Sequence, residues 1–180
     1  MNKSFIFLLV FLLCGSYSYK VNAAEDVLVV NLQYVVSQSK AGSALRKRTQ
    51  ELGEEIQKLQ EEAQKYFQEQ SKKLDDDRAL LSPEVLQQRL DDLRKEAEEK
   101  NIELQGKAQN IQQAIQRASS SIDSVISPIL TEIVNEKGAK VLLDRQVILF
   151  GDPKLDISAE VIKQLNSRLP KIEVIVKDQE

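Results

Sequence analysis

The chain of 180 residues contains no histidine and a single cysteine, Cys14, so most metal-ligand sets and nucleophile–base pairs cannot be assembled from it. Its densest ionisable clusters are Asp75-Asp76-Asp77 and Asp91-Asp92, with Arg46-Lys47-Arg48 and Lys72-Lys73 as basic counterparts. Consecutive helical residues point in different directions, so neither acidic run can close around a cation alone. Both read as solvated helix faces. The glycines spell neither G-x-G-x-x-G nor G-x-x-x-x-G-K-[ST], and no phosphate cradle results. These residues predict no catalytic centre, no metal and no cofactor: the chain is not read as an enzyme.

The remaining information lies in apolar spacing. Residues 1–23 read as a secretory signal peptide. Lys3 supplies the positive start, residues 5–13 (FIFLLVFLL) an apolar run too short to span a bilayer, and Val21 and Ala23 the small residues before a cut after Ala23. A single domain of residues 24–180 follows, without cysteine. Loss of Lys3 and Lys20 leaves 23 basic against 28 acidic residues, a net charge of −5 that gives no support to nucleic-acid binding.

Residues 26–31 (DVLVVN) form a short β-branched run bounded by polar groups and predict a buried strand. From Ser43 the composition turns to Gln, Glu, Lys and Leu. Leu52, Ile56, Leu59, Ala63 and Tyr66 then recur in steps of four and three, the narrow seam of a coiled coil, continued more weakly by Gln70 and Leu74. Phe67 falls one residue off that seam and is expected to be half exposed. At Leu81-Ser82-Pro83-Glu84 one helix stops and another starts, because Ser suits the cap, Pro the first helical position and Glu the first turn.

The second helix carries Leu86, Leu90, Leu93, Ala97, Leu104, Ala108, Ile111, Ile115, Ala118, Ile122, Val125 and Ile129. Its stripe broadens near Ile126, Leu130, Ile133 and Val134, as expected of a helix entering a core. Pro128 is expected to kink it there, and Gly138 ends the helix. An antiparallel hairpin of residues 43–136 results, with Leu59 placed near Gly106 and Leu52 near Ile111.

The body is assigned to residues 24–42 and 137–170. Residues 140–144 (KVLLD) and 146–150 (QVILF) predict two further strands, and Ser158 is expected to cap a short helix over 159–169. Residues 171–180 follow as a tail with no element assigned. Three strands and one short helix bury little surface, which points to oligomerisation through shared strands.

The strand at 26–31, the run EKGAKVLLD at 136–144 and the run DISAEVIKQL at 156–165 together resemble the OmpH/Skp periplasmic chaperones over essentially the whole mature length. The resemblance implies a mainly α fold with a small β body, assembled as a homotrimer. Strands of three subunits would form one barrel, and three coiled-coil hairpins would hang from it around a cavity. It implies an ATP-independent holdase in the periplasm that keeps unfolded outer-membrane β-barrel proteins from aggregating. The candidate body residues are then Val29, Val30, Val141, Leu142, Leu143 and Ile148. Phe67, Leu74, Leu80, Leu81, Val85 and Leu86 are the candidates for client contact.

Familiar members of the family are strongly basic, with positive arm tips. Residues 60–100 here hold twelve acids and eight bases, which argues against tight binding of lipopolysaccharide or more than transient membrane association. The alternative is a structural or adaptor coiled coil linking envelope complexes, although such hairpins usually sit within larger chains.

Overall fold

A computed structural model describes residues 26–177, so the expected cut after Ala23 lies outside the described residues. The first strand, β1 (Val27–Val30), leads through the cap residue Asn31 into helix α1 (Leu32–Gln38). The side chain of Asn31 accepts the Tyr34 N–H at 2.8 Å, satisfying a donor that the first turn leaves free. Ser39 ends α1 and caps helix α2 (Lys40–Asp76), its hydroxyl accepting the Gly42 N–H at 3.0 Å. Between the two helices the chain turns so tightly that a methyl group on Gly42 would collide with the Val36 carbonyl.

Helix α2 runs for 37 residues, about 56 Å at the α-helical rise. A 3₁₀ turn (Asp77–Ala79) closes it, and helix α3 (Pro83–Lys137) returns for 55 residues, about 82 Å. The stop and start fall where the sequence placed them. Ser82 accepts the Val85 N–H at 3.4 Å, Pro83 is the first helical residue, and Gly138 closes α3 at φ 67°, a left-handed conformation that glycine adopts without strain. The helix runs unbroken through Pro128.

Beyond Gly138, β2 (Val141–Asp144) pairs in parallel with β1, Val27 against Val141 through Val30 against Asp144. The whole hairpin is thus the crossover between two adjacent parallel strands. The Lys140–Asp26 ion pair at 2.8 Å stands at the start of the ladder.

Two expectations fail here. Residues 146–150 form no strand: a 3₁₀ turn (Arg145–Val147) is followed by irregular chain, because no ladder partner exists for them among the described residues. Nor does Ser158 cap the last helix, α4 (Ser158–Arg168). Asp156 takes the Ser158 N–H at 2.9 Å, while the buried Ser158 hydroxyl accepts the Asn31 N–H at 2.8 Å and so joins the two ends of the described chain.

The core sits at this junction. Leu28 and Val30 of β1 pack with Val35 of α1, Ala41 of α2, Ile122, Ile126, Ile129 and Ile133 of α3, and Ile157, Val161 and Leu165 at α4. The lower quarter of α3 therefore belongs to the body, which explains why its apolar stripe widens there.

Candidate functional site

The hairpin stands about 60 Å clear of this core, taking the residues of α3 from Pro83 to Ile122. Its two helices meet in the register expected from their seams. Leu52 and Ile111 are buried, and the Lys107 ammonium reaches the Glu55 carboxylate at 2.7 Å, holding the Glu55 pKa below its ordinary value. Nearer the tip, Arg89 lies 3.9 Å from Asp77.

Few residues of the seam are buried above Leu52, since two helices can cover only a narrow stripe of one another. Unfilled clefts result. One of about 420 Å³ is lined by Leu59, Ala63, Tyr66, Phe67 and Lys100, with Glu62, Glu96, Glu99 and Glu103 at its mouth. Tyr66 and Phe67 meet edge to face there at 5.1 Å. Phe67 is half-buried, as its place one residue off the seam implies, whereas Tyr66, expected within the seam, is exposed. The Tyr66 hydroxyl donates to the Glu96 carboxylate, which raises the phenol pKa.

A further cleft, near the tip, has about 230 Å³ between Leu74, Arg78, Leu86, Leu90 and Leu93. At the hairpin root an apolar hollow of about 430 Å³ lies between Val36, Gly42, Leu45, Thr49 and Ile115.

The candidate arm residues divide accordingly. Leu80 at the tip is 84% exposed and Val85 is exposed, while Leu81 and Leu86 are half-buried. Leu74 is only 8% exposed: the weaker continuation of the heptad carries it into the seam, where it forms part of the wall of the tip cleft. In the first turn of α3 the backbone N–H of Glu84 and, to a lesser degree, the nearby Ser82 hydroxyl hold the Glu84 carboxyl below its ordinary pKa.

The body candidates also divide, by strand face. Val30 faces the helical core and Leu142 packs against it, whereas Val29 lies on the opposite face, buried beneath the segment that bridges to it at Asp156. Val141 and Leu143 share that opposite face and are exposed, together with Val27. Ile148 is half-buried, with Val147, Leu149 and Phe150 almost fully exposed around it. Spacing alone did not single out Leu149, Phe150 or Gly42. Gly42 could have been suspected only from the run of small residues at 39–43.

No group of histidine, cysteine, aspartate and glutamate side chains fit to hold a metal occurs among the described residues. No described helix is long and apolar enough to cross a membrane. The architecture is that of a coiled-coil hairpin protein whose candidate surfaces are unfilled clefts and apolar patches.

The family model "Outer membrane protein (OmpH-like)" matches residues 26–165, and the chain belongs to that family. A solved structure from Caulobacter crescentus, described as an OmpH-like outer membrane chaperone, superposes with a TM-score of 0.78. The two chains share 18% identity, and the match covers 86% of this chain and 91% of that one. At that identity the likeness is one of fold. No curated protein matches the chain.

Proposed function

We propose that the protein is a periplasmic, ATP-independent holdase that encloses unfolded outer-membrane β-barrel proteins, working as a homotrimer after removal of residues 1–23. The observation that carries this reading is a long, under-packed hairpin on a body whose second sheet face is apolar and, apart from Val29, exposed. Parallel sheets are normally covered on both faces. Here α3 and α4 cover one face, while Val27, Val141 and Leu143 are exposed on the other, as are Leu149 and Phe150 in the chain that follows β2. A second and third copy of the chain would cover that face, and residues 146–150 would gain the ladder partner they lack.

The hairpin suits a client without fixed shape. Its clefts offer apolar floors of moderate size with charged rims, so contact is adaptable and weak. Leu80 and Val85 at the tip, with Phe67 in the mid-arm cleft, are the candidate contacts in this reading, and neither nucleotide nor metal takes part. Membership of the OmpH-like family supports the reading, as does the described role of the Caulobacter crescentus protein.

The test is aggregation of a denatured outer-membrane barrel protein diluted into buffer, followed by turbidity without ATP. Protection is expected at a stoichiometric ratio of trimer. It should weaken when both arms are shortened symmetrically about Ser82. Absence of protection by the full-length chain, or full protection by an armless body, overturns the proposal.

A further inference from the structure

The family match ends at residue 165, within α4, and the chain beyond it packs back onto α3. Arg168 reaches the Glu132 carboxylate with both guanidinium nitrogens, lowering the Glu132 pKa and raising its own. After it, residues 171–177 alternate without exception between exposed and half-buried, Ile172, Val174 and Val176 being the covered ones. Ile172 packs against the body core, and the Ile175 carbonyl accepts the Arg117 guanidinium at 3.4 Å. Arg168 and Ile175 lie roughly 23 Å apart as extended chain. Their partners Glu132 and Arg117 lie roughly 22 Å apart along α3. The tail thus lies straight along the helix, antiparallel to it.

The backbone of the stretch it spans is interrupted. Pro128 has no N–H, so the Ser124 carbonyl loses its helical bond. The hydroxyls of Ser121, Ser124 and Thr131 bond back to the carbonyls of Arg117, Ser121 and Ser127 at 3.0, 2.8 and 3.1 Å, a pattern that loosens and bends helices. Ile122 is the last core residue before α3 leaves the body, and Ser119, Ser120 and Ser121 follow immediately on the arm side. Asn166 meanwhile accepts the Lys40 N–H at 2.7 Å, so the same C-terminal segment holds the root of α2.

We infer that residues 168–177 are a splint across the point where α3 leaves the body, limiting how far the arm can swing. Its anchors lie on both sides of the soft stretch, Glu132 below and Arg117 above. Without them the helix is held there only by the face that packs on the core. A splint of this kind sets the width of the space between arms. That consequence rests on the holdase reading, but the splint itself does not.

The experiment uses spin labels at Gln88→Cys on the arm and Lys154→Cys on the body, in a Cys14→Ser background diluted with unlabelled chain. Truncation after Pro170 should broaden the arm-to-body distance distribution. Amide exchange at residues 117–124 should rise on the order of tenfold or more, while residues 126–133 stay protected. The double variant Val174→Asp/Val176→Asp, which keeps Ile172 on the core, should reproduce both changes, and Arg117→Ala should give part of them. Unchanged distances and exchange in the truncated chain overturn the inference. So does global unfolding of the double variant, which would make the tail part of the core instead. No client enters these measurements, so their outcome is independent of the turbidity assay.

Discussion

The body and the arm are made from one continuous helix, α3, yet they are held together by different physics. In the body, α3 buries Ile122, Ile126, Ile129 and Ile133 among residues from every neighbouring element. Halfway along the arm, the same helix buries no side chain completely between Pro83 and Asn110. There it depends on intrinsic helix preference, on same-helix pairs such as Lys95–Glu99 and Lys100–Glu103, and on the seam with α2. The difference teaches that helix content says little about where stability resides. Substitutions of equal size should have very unequal effects in the two regions.

The largest effect is expected at Val29→Asp, which places an uncompensated charge on a fully covered strand position at a cost of several kcal/mol. Circular dichroism and light scattering should report loss of the folded body and of assembly together. A Val29→Asp chain that remains folded and unchanged in mass would break the comparison at its strongest point.

Gly42→Ala comes next. The added methyl meets the Val36 carbonyl, which belongs to backbone and cannot swing aside, so a loss of about 3 kcal/mol is expected in denaturant unfolding. Leu93→Ala removes a half-buried seam residue and should cost about 1–2 kcal/mol. Its signature is local: amide exchange should rise in the arm while Ile129 and Ile133 keep their protection. Equal loosening of both regions would show that arm and body unfold as one unit.

Gly53→Ala sharpens the comparison within a single helix. Gly53 lies on α2 as Gly42 does, but a methyl there meets no atom within 4 Å. The substitution should therefore stabilise the arm by up to about 1 kcal/mol, through helix preference alone. Two glycine-to-alanine changes eleven residues apart are expected to have opposite signs.

The smallest effect is electrostatic. The Glu55 and Glu132 pKa values are held below the ordinary carboxylate value by Lys107 and Arg168. A lowered folded-state pKa gives stability that is present above the unfolded-state value and is lost as pH falls through the folded one. Thermal midpoints of the native chain should therefore fall modestly on acidification below the ordinary carboxylate range. Glu55→Gln should flatten the part of that fall which belongs to the arm. Because both pairs are exposed, added salt should shrink the effect. A midpoint that rises on acidification contradicts the assignment.

Much of the fold is legible without coordinates because its signals are local. Ser82 and Pro83 can only start a helix, and Gly138 can take a left-handed turn wherever it sits. The spacing of Leu52, Ile56 and Leu59 against Leu104, Ala108 and Ile111 leaves one antiparallel register that buries both stripes. The candidate contacts were less legible. Leu74 and Leu80 are both leucines near a helix end, and only the seam's actual path separates the covered one from the exposed one. Tyr66 left its expected place in the seam for the same reason, since adjacent residues differ by about 100° around a helix and a small rotation decides whether Tyr66 or Phe67 turns further inward.

The sequence by itself determined the two long helices, the Ser82 cap and Gly138 stop, the turn between them and the strands β1 and β2, because each depends on residues close together along the chain. Tertiary structure alone decided the rest, because each remaining feature depends on a partner far away in sequence. Ser158 became a bridge to Asn31 instead of a cap. Residues 146–150, rich in β-branched and large apolar side chains, stayed irregular for want of a neighbouring strand. Residues 171–177, which carry no motif, became an extended segment because the body core takes Ile172 and α3 offers Arg117 to the Ile175 carbonyl.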